Sequence, residues 1–142
     1  MGRRSGRAKN VANNRKCMSE VHEVTLIVAN IERSREFYEN ILGFKRVEKP
    51  GSRVELGAGG CSIVLEEDFE EDIFAQYNLR KPKGKRGDGL VLELNVDNVE
   101  EIYENAAKGG VEILTKPKVM WGRNHFLLED PDGYVLGIGK SV

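Results

Sequence analysis

Three glutamates interrupt predicted strands and could offer negative charge to a ligand. Glu23, Glu66 and Glu93 each stand in a short stretch rich in apolar and β-branched residues, which predicts β-strands. Successive strand residues point to opposite faces, so alternation separates an apolar face, packed on a helix, from a face turned to a cleft. The residues that alternation turns to the cleft are Glu23, Thr25, Ile27, Ser62, Val64, Glu66, Val91, Glu93 and Asn95, and the candidate ligand contacts among them are Glu23, Thr25, Val64, Glu66, Val91, Glu93 and Asn95. We expect these side chains to line a partly apolar small-molecule site.

Few other side chains could do chemistry. Trp121, the only tryptophan, begins a Trp-Gly-Arg segment that could cover the cleft as an aromatic lid or pack in the core. His125 is a candidate acid or base, although a single strand histidine more often has no such role. The sequence contains neither a nucleophile elbow nor a metal-binding histidine pair. For the three glutamates the alternative is plain solvation at strand ends, the commoner environment of Glu.

An internal repeat positions these residues. Phe37-Tyr38-Glu39-Asn40 in the first half of the chain is matched by Ile102-Tyr103-Glu104-Asn105 in the second half. Each copy follows one predicted strand and precedes three more, which predicts two βαβββ units at about 21–67 and 89–140. A polar connector, about 68–88, joins them. We expect an α+β fold in which the two repeats form a curved mixed sheet around a cleft.

Capping and turn chemistry set the predicted boundaries. Asn30 and Asn98 are typical N-caps, which predicts helices over 32–42 and from Asn98 to Lys108, with glycines at their ends. Predicted strands cover 21–28, 44–48, 53–56, 61–66, 90–96, 112–119, 124–129 and 135–139. Turns are predicted at 57–60 and at Asp130-Pro131-Asp132-Gly133, and a short helix at 72–77.

Composition predicts a soluble, single-domain protein of residues 19–142. The chain has 142 residues, of which 39% are apolar and 32% charged, as in ordinary globular proteins. No apolar run approaches the ~20 residues that span a membrane, and no secretory signal is apparent. Cys17 and Cys61 do not form a disulfide framework, so we expect a cytoplasmic location.

Charge is unevenly distributed along the chain. Residues 1–18 carry six basic residues and no acidic one, leaving 16 basic against 23 acidic residues in 19–142. This N-terminal segment is predicted to be a disordered arm, either native or lying ahead of a natural start at Met18. A targeting or nucleic-acid-binding segment is the alternative. The acidic domain argues against nucleic acid as a partner.

The order of motifs resembles the vicinal oxygen chelate superfamily, which includes glyoxalase I, bleomycin-resistance proteins and extradiol dioxygenases. The resemblance covers about residues 21–140. It rests on Val24–Ser34 running into Phe37-Tyr38 and Leu42-Gly43-Phe44, on Trp121-Gly122-Arg123, and on Asp130-Pro131-Asp132-Gly133-Tyr134. It implies a homodimer whose clefts form between paired units, sometimes from different chains. The fold hosts many reactions, so it does not specify one.

Catalytic members of that superfamily usually hold a divalent metal through His, Glu or Gln from four strands. The resemblance places those positions at Glu23, Val64, Val91 and Gly137. Only Glu23 could bind a metal. A shifted set of His22, Glu66 and Glu93 leaves Gly137 without a replacement. Because transition metals usually need at least three protein ligands, we predict no metal and no other cofactor.

The combined prediction is a metal-independent small-molecule binding protein, similar to bleomycin-resistance and other drug-binding members. It would sequester a cationic or aromatic compound, with Glu23, Glu66 and Glu93 as counter-charges. One alternative is a metal-dependent glyoxalase-like lyase, isomerase or dioxygenase with an unusual ligand set. Another is an interaction protein whose basic arm contacts nucleic acid. No membrane partner is expected.

Overall fold

The computed structural model describes residues 18–48, 53–57, 61–68 and 75–142. The N-terminal arm, most of the 57–60 turn and the start of the predicted 72–77 helix lie outside these ranges. Within the described ranges, no helix is long and apolar enough to cross a membrane.

The first unit is a four-stranded sheet with one helical layer. Its elements are β1 (Glu23–Val28), α1 (Ile31–Glu36), α2 (Phe37–Ile41, a π-helical turn), β2 (Lys45–Val47), β3 (Val54–Gly57) and β4 (Ser62–Glu67). The strand order is β1-β4-β3-β2. β1 runs parallel to β4, with Glu23 opposite Ser62, and the other pairs are antiparallel.

The second unit repeats this plan with five strands. Its elements are β5 (Val91–Asn95), α3 (Val99–Lys108), β6 (Glu112–Ile113), β7 (Lys118–Met120), β8 (Arg123–Glu129) and β9 (Val135–Ser141). The order is β5-β9-β8-β6, and β7 pairs with β8. The predicted α+β class is confirmed, and each unit has its own sheet. The first unit has the predicted βαβββ order, whereas the second has one additional strand.

Two predicted elements differ in form from those of the structure. The first predicted helix, 32–42, is α-helical only to Glu36 and continues as the π-helical turn to Ile41. The predicted strand 112–119 is split into β6 and β7, and Pro117 lies between them, where its missing N–H interrupts the ladder.

Both predicted N-caps are confirmed. The Asn30 side chain accepts a hydrogen bond from the backbone N–H of Arg33 at 2.9 Å, and Asn98 accepts one from Glu101 at 3.1 Å. These side-chain bonds satisfy N–H groups that a helix start leaves unpaired. Gly43 follows the first helical layer at φ +80°, a conformation that suits glycine.

One apolar core spans both units. Leu26, Leu65 and Tyr38 of the first unit pack in the same cluster as Phe126 and Ile138 of the second. Apart from Tyr38, which belongs to α2, these are strand residues that face the helical layers, as the alternation predicts. The opposite faces of the two sheets therefore point away from the core, and we call them the first and second outer faces. Leu90 departs from the prediction, because it precedes β5 and is 42% exposed.

A buried polar network joins the units. Asp130 accepts a hydrogen bond from the Tyr38 hydroxyl at 2.7 Å, and Asp132 accepts one from the Ser34 hydroxyl at 3.2 Å and one from the Ala29 amide at 3.0 Å. Burial raises the pKa of Asp130 and places that of Tyr38 well above its ordinary value. The predicted Asp-Pro-Asp-Gly turn, confirmed by the bond from Gly133 N–H to Asp130 C=O at 3.0 Å, thus also links the repeats.

Candidate functional site

The eight residues predicted to bind ligand lie in two groups within one chain. Glu23, Thr25, Val64 and Glu66 lie on the first outer face, on β1 and β4. Val91, Glu93 and Asn95 lie on the second outer face, on β5, and Trp121 occupies the β7–β8 turn. The ion pairs of the three glutamates join residues of the same sheet. A single chain therefore presents the eight predicted residues on two separate surfaces.

On the first outer face, one arginine serves two glutamates. Arg53 donates a hydrogen bond to Glu23, and its Nε lies 3.3 Å from Glu66 Oε2. The Thr25 hydroxyl also donates to Glu23, at 2.8 Å. The hydrogen bond from Thr25, followed by that from Arg53, lowers the pKa of Glu23. Two carboxylates facing one guanidinium leave this group with one net negative charge.

Val64 forms the floor of the first outer face. It pairs with Thr25 across β1 and β4 but is only 1% exposed. Thr25 beside it is exposed. Because Val64 is covered, a ligand on this face would contact Thr25 and the glutamates first.

The second outer face carries a partly buried polar cluster of Glu93, Arg123 and His125. Glu93 Oε1 lies 3.3 Å from Arg123 Nε and 3.4 Å from His125 Nδ1. Arg123 also donates hydrogen bonds to the Asn95 side chain at 2.6 Å and to the Leu94 carbonyl at 2.9 Å. The His125 side chain is only 5% exposed, and its Nδ1, like Arg123 Nε, has no hydrogen-bond partner among the described residues.

Two glycines on β9 make room for this cluster. Glu93 faces Gly137 across the β5–β9 pair, and His125 faces Gly139 across β8–β9. A Cβ on Gly137 would lie 2.5 Å from Glu93 Oε2, and one on Gly139 would lie 2.5 Å from His125 Cβ. At Gly137 the end of the flexible Glu93 side chain would have to move, whereas at Gly139 the close atom is a Cβ, which cannot move so easily. The polar groups therefore lie directly over two glycines of β9.

Trp121 stands beside the cluster in a strained turn. Trp121 (φ +55°) and Gly122 (φ +73°) form the two-residue connection between β7 and β8. Two successive positive φ values are typical of a type I′ hairpin turn, a conformation rare for a bulky residue. The indole is 82% exposed, with its ring 6.0 Å from that of His125. The alternative of core packing is thereby excluded, and a strained, exposed aromatic is a reason to suspect function.

The superfamily-type metal does not fit these residues. Of the four positions implied by the resemblance, Glu23 is bound by Arg53, and Val64 and Val91 have no donor atom. The space above Gly137 is filled by the Glu93 carboxylate, which itself faces Arg123. His22 of the shifted set is 94% exposed. Across the described part of the chain, no three His, Cys, Asp or Glu side chains are grouped to hold a metal ion.

The sequence did not indicate which basic residues pair with the glutamates on each outer face. Arg53 was not predicted as a site residue, nor was Arg123, and His125 was considered only as an acid or base. Arg123, His125 and Leu127 alternate on β8, so they could have been placed on one face. Their contact with Glu93 depends on the β5-β9-β8 order, which alternation alone does not give.

Comparison with known proteins gives a family match and a common fold. The family model described as Glyoxalase/Bleomycin resistance protein/Dioxygenase superfamily matches residues 20–138. No curated protein matches the chain. Many solved structures do match, and three of them illustrate the kinds of protein that share this fold.

The first is TnmS3, an antibiotic binding protein from Streptomyces sp. CB03234, at 23% identity and TM-score 0.66, covering 90% of this chain and 100% of that one. The second is an integron cassette protein from the mobile metagenome of V. Cholerae, at 25% identity and TM-score 0.66, covering 88% and 97%. The third is a superfamily member from Sphaerobacter thermophilus DSM 20745, at 26% identity and TM-score 0.63, covering 87% and 98%.

Proposed function

Because this chain belongs to the glyoxalase/bleomycin resistance/dioxygenase superfamily, we propose that it is a small-molecule binding protein that sequesters an aromatic compound without a metal. One observation carries the proposal: an exposed indole, Trp121, held at positive φ beside the partly buried cluster of Glu93, Arg123 and His125. The fold shared with TnmS3, described as an antibiotic binding protein, supports a small organic ligand.

The second outer face suits a flat ligand. Trp121 offers an aromatic surface, and Val91, 47% exposed, offers apolar contact on β5. Aromatic pairs contribute about 0.5–1.5 kcal/mol beyond the burial of their area. The Glu93 side chain is 39% exposed, so its carboxylate can orient a polar group of the ligand. Arg123, held by Asn95 and Leu94, keeps that carboxylate in place.

The charges modify the expectation of a cationic ligand. Glu93 already pairs with Arg123, so a positive group of a ligand would compete with Arg123 for the Glu93 carboxylate. Glu23 and Glu66 share Arg53, so of these two groups of described side chains the one on the first outer face has the excess negative charge. We therefore propose aromatic character as the main determinant of binding, with a positive charge as a secondary one that the first outer face would recognise.

A homodimer completes the proposed site. Within one chain, the two outer faces point away from a common core, so the eight predicted residues cannot surround one ligand. We propose that the first outer face of one chain meets the second outer face of a partner. Trp121, 82% exposed beside one end of this sheet, and Val91, 47% exposed at the other end, leave apolar surface that a partner chain could cover.

The experiment uses Trp121 as its own reporter, since it is the only tryptophan. Doxorubicin and bleomycin are titrated into the protein while indole fluorescence is followed. We expect saturable quenching, a roughly tenfold weaker Kd for Trp121→Ala, and a smaller loss for Trp121→Phe. Because the Trp121 variants lack the reporter, their Kd values are measured by calorimetry, alongside the native protein.

The matched control is Tyr77→Ala, because Tyr77 is also exposed, at 66%, but lies in the connector. Its Kd should equal that of the native protein. Absence of quenching, or equal binding by Trp121→Ala and the native protein, would refute the proposal.

Metal content tests the remaining alternative, a metal-dependent enzyme. The purified protein is analysed for metal before and after incubation with nickel, zinc, manganese or iron(II), and its melting temperature is followed. We expect no stoichiometric metal and no rise in melting temperature. One metal per chain with a clear rise would favour the enzyme instead.

A further inference from the structure

A second concave region lies between the two units, on the helix-facing sides of the sheets. This groove has a volume of about 1060 Å³, slightly above the roughly 300–1,000 Å³ usual for ligand pockets. Glu93 and Asn95 border it, because β5 is an edge strand. Its floor, however, belongs to the apolar faces of both sheets, on the other side of β5 from the second outer face. The floor residues are Val24, Ile63, Leu92, Leu94 and Ile138.

The mouth of the groove is negatively charged on one side. Asp97 and Glu101, at the start of α3, line it and are exposed. Neither carboxylate forms an ion pair with any residue that the structure describes, unlike Glu23, Glu66 and Glu93, which face arginines. Lys45 is the basic residue in the lining. The groove thus combines an apolar floor with carboxylates that are free to pair with a ligand.

The internal repeat contributes to both walls. Asn40 and Asn105 occupy equivalent positions in the two copies of the Tyr-Glu-Asn motif, and both line the groove. Their amides offer donors and acceptors on each side of an apolar floor. The groove therefore combines an apolar floor with polar side chains that could orient a small molecule.

We infer that this groove is a second binding site, and that its ligand is a cationic amphiphile. The alkyl or ring body would lie on the floor formed by Val24, Ile63 and Leu94. The positive group would lie at the mouth, between Asp97 and Glu101. Apolar burial supplies the affinity, and the charge complementarity selects a cation over a neutral or anionic molecule of the same size.

The test uses decyltrimethylammonium below its micelle concentration, with decyl maltoside as the neutral comparison. Binding is measured by calorimetry and mapped by amide chemical shifts in ¹⁵N-labelled protein. We expect saturable binding of the cation, with shifts at Leu92, Leu94 and Asn105. The double variant Asp97→Asn/Glu101→Gln should weaken Kd roughly fivefold to tenfold.

A matched variant separates local from general electrostatics. Glu100→Gln/Glu104→Gln removes the same number of negative charges from α3. Because these residues do not line the groove, binding of the cation should be unchanged. Trp121→Ala should also leave the binding of decyltrimethylammonium unchanged, even though it is expected to weaken the binding of aromatic ligands. Equal losses in the two double variants, equal affinity for decyl maltoside, or loss of binding in Trp121→Ala would overturn the inference. Amide shifts at the same groove residues on dimerisation without ligand would show that a second chain covers the groove and would overturn the inference as well.

Discussion

The bond between Tyr38 and Asp130 offers a sharp test of how the two units hold together. Tyr38 is fully buried in the first unit, and Asp130, 5% exposed, belongs to the second. Replacing Tyr38 with Phe removes only the hydroxyl that donates to Asp130 at 2.7 Å. The ring remains, with its edge contacts to Phe37 at 5.1 Å and Phe44 at 6.1 Å. No sizeable cavity is created, so the change isolates one hydrogen bond.

The expected cost is about 1.5–3 kcal/mol of unfolding free energy. That is the usual worth of a hydrogen bond to a charged group, and here the carboxylate oxygen is left buried without its donor. Asp130 keeps the bonds from the N–H groups of Asp132 and Tyr134, each at 2.9 Å, which limits the loss. The corresponding fall in melting temperature is roughly 5–10 °C for a chain of this size.

The loss should depend on pH in a defined direction. Burial raises the pKa of Asp130 above 3.8, while the Tyr38 hydrogen bond lowers it. A carboxyl whose folded pKa is raised stabilises the fold fully below its unfolded pKa, and this contribution is lost as pH rises through the folded pKa. Removing the hydroxyl raises the folded pKa further. The difference between native protein and Tyr38→Phe should therefore be smallest below pH 3.8 and largest at neutral pH.

The assay is urea unfolding at several pH values, followed by circular dichroism. Tyr103→Phe is the control, because Tyr103 is the repeat equivalent of Tyr38. It packs on Phe126, with ring centroids 5.2 Å apart, but its hydroxyl has no hydrogen-bond partner in the described part of the chain. The unfolding free energy of Tyr103→Phe should stay within about 0.5 kcal/mol of the native value. If Tyr38→Phe at pH 7 loses no more than this control, or if its loss is independent of pH, the reasoning is wrong.

Two further predictions concern the outer faces. Gly139→Ala should destabilise the protein by about 1–3 kcal/mol, because its Cβ would lie 2.5 Å from His125 Cβ and 3.0 Å from the Asn124 carbonyl. Gly57→Ala, whose Cβ would meet atoms no closer than 3.4 Å, is the control in thermal unfolding, and equal effects would contradict the prediction. Arg53→Met should raise the pKa of Glu23 towards 4.5, since Arg53 helps to lower it. Carboxyl NMR titration measures this, and an unchanged pKa would show that Thr25 alone is responsible.

The sequence predicted the repeated architecture well because the controlling signals are local. Asn30, Asn98 and Gly43 act through their own backbone neighbours, and strand alternation follows from geometry within one strand. The π-helical turn at Phe37–Ile41 was not predictable in this way, since its period differs little from that of an α-helix over so short a segment. The split of 112–119 could have been inferred from Pro117.

The site was predicted less completely because its contacts are non-local. Glu93 and Trp121 were identified from residue type, but Arg123 reaches Glu93 across an intervening strand, from a distant part of the sequence. That contact requires both the strand order and a strand that lacks a side chain at Gly137. The prediction of three free counter-charges therefore treated Glu23, Glu66 and Glu93 as isolated, whereas each has a cationic neighbour.

Because both outer faces point away from the core, the number of complete clefts should depend on protein concentration. If two chains related by a two-fold axis each present their first face to the other's second face, the pair contains two identical clefts, and a lone chain contains none. The number of working sites would then follow the concentration of dimer. On dilution below the dimer dissociation constant, capacity to sequester a compound would fall with the square of protein concentration, so small changes in expression would have large effects.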